Sequence, residues 1–290
     1  MHSSKLNRLP PWFKTELTTS DRLLGVRSLI RNYKLHTVCQ SAACPNQNEC
    51  WNSGTATFLI LGNVCSRNCG FCNIPKGAPQ GLDLGEPDRV AHAVEVLKLN
   101  YAVITSVTRD DLNDGGASMF AETIRAIRRR LPGCRIEVLI PDFQGSESSL
   151  RTVLEAGPDV LNHNIETVPS LYSRVRPQAD YPRSLELLRR ARSSGAITKT
   201  GLMLGLGEGR QELMTVMHDL REVDCSVLTL GQYLRPGKDR LPVEKYYHPD
   251  EFEELRRHAL DLGFSYVAAG PRVRSSYNAE EAASQFHAMP

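Results

Sequence analysis

Apolar runs and amphipathic stretches alternate along the chain from residue 56 onward. Seven short apolar runs have the length and composition of buried strands. They cover residues 56–61, 101–107, 135–140, 159–164, 197–204, 226–230 and 265–268. Between them, apolar residues recur at helical spacing in six stretches, at 87–99, 118–131, 148–156, 182–193, 210–223 and 249–262. This pattern predicts strands and helices in regular alternation.

Repeated strand–helix units of this length indicate a parallel sheet. Six main units predict an α/β fold, a partial (β/α)6 TIM-type barrel with extensions at both ends. We expect an N-terminal extension at residues 1–55, the barrel at 56–264 and a C-terminal extension at 265–290. Ligands of such barrels bind at the C-terminal ends of the strands. Polar residues that follow the strands are therefore the candidates for a site.

Composition and charge favour no particular class of partner. The chain has 35 Lys and Arg residues against 33 Asp and Glu, a net charge of +2. An arginine-rich tract at 125–130 lies on a helical pattern with Ile124 and Ile127, which favours a solvated helix face over a nucleic-acid patch. No run is long enough to span a bilayer, and residues 1–11 lack the apolar core of a signal peptide. We expect a cytoplasmic protein with no membrane or nucleic-acid partner.

Three cysteines follow the first predicted strand at the spacing C-x3-C-x2-C: Cys65, Cys69 and Cys72. Thiolates are the ligands of iron–sulfur clusters, and a [4Fe-4S] cluster takes four of them. Three thiolates therefore leave one iron of the cluster without a protein ligand, and this open coordination site is where chemistry can occur. Zinc remains the alternative, but zinc sites usually pair their cysteines across a longer insert and total four ligands.

A second triplet precedes the first at the spacing C-x4-C-x5-C: Cys39, Cys44 and Cys50. Six thiolates are too many for one [4Fe-4S] cluster, so the sequence predicts two such clusters. The second cluster then needs a ligand that is not cysteine. The polar run at 274–279 offers serine hydroxyl oxygens for that position. Cys134 and Cys225 stand alone and are interpreted as buried structural thiols.

Polar residues also follow two of the predicted strands: Thr105, Ser106, Asn162, Asn164 and Glu166. Strand alternation sends the last three to one face and His163 to the other, where a lone histidine is usually a satisfied core residue. The glycine-rich stretch at 201–209 lacks the spacing of a dinucleotide fingerprint. We interpret its glycines as room for the close approach of a cofactor.

Together these motifs make the chain closely similar to the lipoyl synthases, a family of the radical S-adenosylmethionine (SAM) superfamily. The C-x3-C-x2-C motif is the superfamily signature. The additional triplet and the Arg-Ser-Ser-Tyr run at 274–277 are those of the family, and the resemblance covers residues 12–279. In that family a serine of the terminal run ligates the auxiliary cluster. This implies Ser276 as the ligand, with Ser275 as the alternative.

The resemblance also implies the reaction. SAM binds the open iron at Cys65, Cys69 and Cys72 and is cleaved to a radical that removes hydrogen from C6 and then C8 of a protein-bound octanoyl-lysine. The auxiliary cluster is consumed as the sulfur donor. For SAM we expect contacts from the five strand-end residues, with Arg176 and Lys199 as contacts of its carboxylate. Ordinary structural hydrogen bonding is the alternative for each of them.

Partners follow from the same resemblance. They are octanoylated lipoyl-domain carrier proteins (E2 subunits of 2-oxoacid dehydrogenases and the glycine cleavage H protein), an electron donor such as ferredoxin or flavodoxin, and an iron–sulfur carrier that rebuilds the cluster. Two other functions stay open. One is another radical SAM sulfur-insertion enzyme, similar to biotin synthase. The other is a zinc-stabilised nucleic-acid-binding module, which the near-neutral charge disfavours.

Overall fold

The structure is a computed structural model and describes residues 9–14, 20–52 and 56–276. In this part of the chain, eight strands form a single sheet in sequential order. The strands are β1 His36–Thr37, β2 Thr57–Ile60, β3 Tyr101–Ser106, β4 Arg135–Leu139, β5 Val160–Asn162, β6 Ile197–Leu204, β7 Val227–Gln232 and β8 Tyr266–Gly270. β1 is antiparallel to β2, and each later strand is parallel to its neighbour.

Helices join the parallel strands. They are α1 Asp21–Asn32, α2 Val38–Ser41, α3 Gln47–Asn52, α4 Glu86–Val96, α5 Ala117–Arg130, α6 Glu147–Glu155, α7 Tyr172–Val175, α8 Tyr181–Ser193, α9 Arg210–Glu222 and α10 Pro249–Asp261. Short 3₁₀ turns lie at Pro11–Phe13, Phe143–Gly145 and Pro169–Leu171. Sequential parallel pairing with helical crossovers confirms the predicted α/β partial barrel.

Each predicted strand and helix is present, with ends that shift by a few residues. Three differences from the predicted boundaries stand out. The two-residue strand β1 was not predicted, because so short a pairing leaves no periodic pattern, and it ties the N-terminal segment to the barrel sheet. β5 ends at Asn162, so Asn164 and Glu166 lie in the loop that follows it. β8 pairs with β7 and continues the sheet beyond residue 264.

The core lies between the sheet and the helices. On β3, Ala102 and Ile104 belong to the hydrophobic cluster that packs against α4 and α5, while Tyr101 and Val103 face the other way. A second cluster joins β6, β7 and β8 to α9 and α10. The alternation of side chains thus separates an apolar outer layer from a barrel interior that contains charged groups.

The arginine-rich tract on α5 forms a solvated helix face, as predicted. Each of its four arginines lies near a carboxylate: Arg125 near Glu122, Arg128 near Asp159, Arg129 near Asp88 and Arg130 near Glu95. The apolar residues of the same helix are buried against the sheet. Among the helices of the described residues, none combines the length and apolar character that crossing a bilayer requires.

Candidate active site

The first cysteine triplet lies in the loop between β2 and α4. The chain turns out of β2 through Leu61 and Gly62, with φ of 68° and 88°. The loop then folds back on itself, since the Cys65 amide donates to Pro75 O at 2.8 Å and the Gly77 amide donates to Cys65 O at 3.1 Å. All three cysteines are half-buried and free of disulfides. The thiols thus stand at the C-terminal edge of the barrel, where the fold places ligands.

Backbone amides contact one of these thiols, and burial acts on the other two. The Cys65 Sγ accepts hydrogen bonds from the amides of Arg67 and Thr108, each at 3.4 Å. Burial raises the pKa of Cys69 to about 11 and also raises the pKa of Cys72, and the neighbouring sulfurs of the triplet add to both shifts. Thiols in this position release their protons when iron binds. The donor set therefore fits a cluster with three thiolate ligands.

Arg67 clamps this loop to the barrel. Its guanidinium, which is 4% exposed, binds the Asp110 carboxylate through two bonds of 2.6 and 2.9 Å and the buried Asp142 carboxylate at 2.6 Å. Asp142 also accepts from Arg183 at 3.2 Å. Arg67, Asp110 and Asp142 were not among the predicted site residues. Two features of the sequence could have indicated them: Arg67 lies inside the cysteine motif, and Asp110 and Asp142 each follow a predicted strand.

We expect Arg67→Met to slow SAM cleavage by about 10- to 100-fold, the usual effect of removing an outer-shell partner of a metal ligand. Asp110 would also lose its counter-charge and Asp142 would keep only Arg183, and breaking a buried ion pair costs about 3–5 kcal/mol of stability. Release of 5'-deoxyadenosine and the thermal midpoint measure the two effects. Arg128→Met is the matched control, because Arg128 pairs with Asp159 at the opposite ends of the strands. If both variants cleaved SAM at the same rate, Arg67 would not have the proposed role as a clamp of the cysteine loop.

The second triplet lies on α2 and α3 and in the turn between them. Thr37 caps α2 by accepting from the Gln40 amide at 3.4 Å, which places Cys39 in the buried face. Burial raises the pKa of Cys50 to about 12, with further contributions from Cys39 and Cys44. These thiols are therefore close enough to repel one another as thiolates. The fold therefore brings together Cys39, Cys44 and Cys50, the three cysteines of the second motif.

The C-terminal segment that carries the serines docks on this second triplet. The Asn46 Nδ2 donates to Arg272 O at 2.7 Å, and Asn46 lies between Cys44 and Cys50. Arg274 lies within electrostatic range of the Cys44 sulfur. Ser275 and Ser276 follow directly and are half-buried, while Tyr277 lies outside the described residues. The segment thus stands beside the thiols that lack a fourth ligand, and Ser276 stays a prediction.

The two triplets adjoin each other. The Asn73 Nδ2, next to Cys72, donates to the carbonyl of Ser41 on α2 at 3.1 Å. Cys39 belongs to the same hydrophobic cluster against which Cys50, Cys65 and Cys72 pack. Both sets of thiols therefore lie at one edge of the barrel rather than on opposite sides of the molecule.

No three His, Cys, Asp or Glu side chains among the described residues are grouped so that they could hold a single metal ion. A cubane is larger than one ion, so its ligands stand further apart than those of zinc. The lack of a single-ion group among the described residues therefore does not count against a cluster.

Three of the polar residues predicted to contact SAM gather beside the first triplet. Asn164 Nδ2 donates to Glu166 Oε1 at 3.0 Å, and Arg176 Nη1 donates to Asn164 O at 2.8 Å. Glu166 and Arg176 both lie within electrostatic range of Cys69. Burial raises the pKa of Glu166, while Arg176 and Asn164 oppose that shift. Glu166 also holds a left-handed backbone, with φ of 70°, a conformation that recurs at functional sites.

Four buried polar atoms near this edge of the barrel have no hydrogen-bond partner among the described residues: Ser106 Oγ, Asn162 Oδ1, Asn164 Oδ1 and Arg176 Nε. Buried polar atoms are nearly always hydrogen-bonded, so unpaired ones at a strand edge suggest a missing ligand. SAM carries an amino group, a carboxylate and ribose hydroxyls that can satisfy donors and acceptors of this kind. These residues therefore fit the cofactor.

Two other predicted contacts have structural partners instead. Lys199 Nζ donates to Glu137 Oε2 at 2.9 Å, and both side chains are buried. Thr105 Oγ1 donates to Leu139 O at 2.9 Å. The structure therefore gives no support for a contact between Lys199 and the SAM carboxylate, because Glu137 already neutralises the ammonium group. Thr105 and Lys199 therefore have partners within the protein, and their contacts with SAM stay predictions.

The interpretation of the glycine-rich stretch is also corrected. A Cβ at Gly205 would collide with the Gln232 amide and with the carbonyl of Lys245. At Gly201 it would lie 2.6 Å from Thr229 Oγ1 and 3.0 Å from Asn164 Oδ1. These glycines make room for neighbouring protein groups. Only Gly201, beside the unpaired Asn164 oxygen, borders the candidate cofactor site.

His163 faces away from the site, as the strand alternation predicted. It is buried, with Nδ1 against Ile140 O at 2.9 Å and Nε2 against Ser184 Oγ at 3.0 Å. Burial lowers the pKa of His163 to about 4, and the charges of Arg176 and Arg67 also lower it while Asp142 opposes them. His163 is therefore a neutral structural residue at physiological pH.

We expect the free energy of unfolding to fall as pH drops from 6.5 towards 4. In that window the unfolded chain protonates His163 while the folded protein keeps it neutral, a difference of up to about 3 kcal/mol. His163→Gln should remove this part of the pH dependence. Asp142, whose pKa is about 2, contributes only at lower pH. Thermal midpoints at pH 4.5 and 6.5 test this, and equal pH slopes for variant and wild type would contradict it.

Comparison with known proteins places the chain in a superfamily. The family model of the Radical SAM superfamily matches residues 59–220. Methylornithine synthase has a similar fold, with a TM-score of 0.53 at 15% identity over 88% of this chain and 82% of that protein. SuiB of Streptococcus suis in complex with SAM reaches a TM-score of 0.59 at 10% identity, over 78% and 54% of the two chains. These likenesses confirm the fold.

Sequence relatives are closer and span nearly the whole chain. A lipoyl synthase of Rubrobacter xylanophilus is 55% identical over 274 residues, which cover 94% of this chain and 85% of that protein. A lipoyl synthase of Oleidesulfovibrio alaskensis is 55% identical over 278 residues, 96% of each chain. With its two adjoining cysteine triplets and its radical SAM barrel, this chain belongs to the lipoyl synthase family, sulfur-inserting radical SAM enzymes whose cofactors are SAM and [4Fe-4S] clusters.

Proposed function

We propose that this chain inserts two sulfur atoms, at C6 and C8, into the octanoyl-lysine of a lipoyl-domain carrier protein. Cys65, Cys69 and Cys72 hold the radical cluster. The auxiliary cluster is held by Cys39, Cys44, Cys50 and Ser276, with Ser275 as the less favoured oxygen ligand. The contact between Asn73 and Ser41 carries the proposal, because it sets the two triplets side by side, as sulfur transfer to one substrate requires.

When bound, SAM and the radical cluster supply hydrogen abstraction, and the auxiliary cluster supplies sulfur. The protein positions these groups and excludes water. Arg67 holds the cysteine loop against the ends of β3 and β4. Asn164, Glu166 and Arg176 orient the amino-acid part of SAM beside Cys69, and the unpaired Ser106 Oγ and Asn162 Oδ1 offer further contacts at the ends of β3 and β5.

The same reaction defines the partners. The carriers are E2 subunits of 2-oxoacid dehydrogenases and the glycine cleavage H protein, a ferredoxin or flavodoxin supplies electrons, and an iron–sulfur carrier rebuilds the auxiliary cluster. We place the protein in the cytoplasm, because six thiolate ligands in two triplets suit a reducing compartment. In our division of the chain, residues 1–55 carry the auxiliary triplet, 56–264 form the main part of the radical SAM barrel, and 265–290 add β8 to its sheet and supply the serine.

An anaerobic assay with an octanoyl-lysine peptide, SAM and a reductant tests the proposal. We expect brown protein with about eight irons per chain and a peptide that gains two sulfur atoms. A brown enzyme that cleaves SAM but leaves the peptide unchanged would favour another sulfur-inserting reaction, similar to that of biotin synthase. Colourless protein that holds zinc would overturn the proposal.

A further inference from the structure

The segment at residues 271–276 is fixed to the second cysteine triplet by contacts that do not involve its serines. Asn46, which is 1% exposed, donates through Nδ2 to Arg272 O at 2.7 Å and accepts from Arg272 Nε through Oδ1 at 3.3 Å. The Arg272 guanidinium also pairs with the Glu49 carboxylate. Asn46 and Glu49 lie between Cys44 and Cys50. We call Asn46, Glu49 and Arg272 the anchor.

The barrel rim fixes the same segment at a second point. The Val273 amide donates to Gly270 O at 3.1 Å, and Arg274 Nη1 donates to Val273 O at 2.7 Å. Val273 O lies directly over Gly231 of β7, where a Cβ would collide with it. The backbone therefore reaches residue 274 in a defined position before the serines begin.

The serine hydroxyls are left uncommitted. Within the described residues, neither Ser275 nor Ser276 has a hydrogen bond, and both side chains are half-buried. Arg274 lies within electrostatic range of Cys44, so the serines follow a residue that already reaches the thiols. The segment is thus held by residues 272 and 273, while the hydroxyl oxygens of Ser275 and Ser276 are available to bind a cluster iron and to leave it.

We propose that the anchor keeps the serine segment docked on the Cys44–Cys50 loop whether or not a serine oxygen binds iron. This inference rests on the proposed function, in which the auxiliary cluster is consumed and must be rebuilt. A neutral hydroxyl is a poorer ligand for iron than a thiolate, so it is the ligand that leaves. Because the anchor holds the segment in place, a new cluster meets the serine at high effective concentration. Asn46, Glu49 and Arg272 are positioning residues for this step.

Hydrogen exchange of the metal-free protein tests the anchor directly. We expect the peptide over residues 270–276 to exchange slowly in wild type and at least about tenfold faster in Arg272→Ala, since the segment would open locally. Arg256→Ala is the control, because it removes an exposed arginine that pairs with Glu253 on α10. If Arg272→Ala does not fold, Glu49→Gln keeps the side-chain size and gives the same comparison. Equal exchange in wild type and the folded anchor variant would overturn the inference.

Rebuilding of the cluster gives a second measurement. In a protein with Cys65, Cys69 and Cys72 all changed to Ala, only the second triplet binds iron. After chelation and addition of ferrous iron and sulfide, we expect Arg272→Ala in this background to rebuild about 10- to 100-fold more slowly. Equal rates would overturn the inference alone. Failure of the parent protein to take up about four irons would instead overturn the proposed function.

Discussion

Cys69→Ala should release no detectable 5'-deoxyadenosine from SAM, a loss of about a thousandfold or more. Losing even an outer-shell partner costs 10- to 100-fold, and Cys69 is a proposed direct ligand. Its sulfur also lies within electrostatic range of Arg176 and Glu166, the groups proposed to orient SAM. Its removal therefore disturbs the cluster and the cofactor together. Anaerobic incubation with SAM and dithionite, followed by chromatography of the nucleoside products, measures the effect.

Cys225→Ala is the matched control for this loss. Cys225 is fully buried at the start of β7, where its thiol donates to Thr198 O at 3.7 Å. We expect that variant to keep both clusters and its cleavage activity. If Cys69→Ala still formed 5'-deoxyadenosine at the rate of the control, the assignment of the radical cluster to this triplet would be wrong.

The barrel was predictable because its elements are long and periodic. α5 buries Phe120, Ile124 and Ile127 on one face, which fixes a helix whatever its neighbours are. The cysteine triplets were equally local, since each lies within one short stretch of the chain. The strand β1 was not predicted, because two residues are too few to show an alternating pattern, and β1 forms only through its pairing with β2.

Contacts between distant residues account for what sequence reasoning missed. Lys199 looked available for a carboxylate because nothing near it in the chain is acidic, but Glu137, 62 residues earlier, faces it across the barrel. Arg67 is paired with Asp110 and Asp142, 43 and 75 residues later. Whether a charged residue in the barrel binds a ligand or only stabilises the fold is decided by its partner in the folded protein. Spacing alone does not reveal that partner.

Cys44→Ala should separate the two halves of the reaction. We expect SAM cleavage to continue, because the radical triplet and its clamp at Arg67 are untouched. Formation of lipoyl product should fall by about a thousandfold or more, since the sulfur donor loses one of three thiolates in a site whose fourth ligand is a weak oxygen. Mass spectrometry of the octanoyl-lysine peptide and quantification of 5'-deoxyadenosine in the same reaction give both numbers.

The ratio of these two products is the decisive quantity. In wild type, two sulfur insertions consume two molecules of SAM, so nucleoside and product rise together. In Cys44→Ala, nucleoside should accumulate without product, and the purified variant should hold about four irons rather than eight. Normal lipoyl product from a four-iron variant would show that sulfur comes from elsewhere. The contact between Asn73 and Ser41 would then serve packing alone, since the triplet beside the radical cluster would have no sulfur to give.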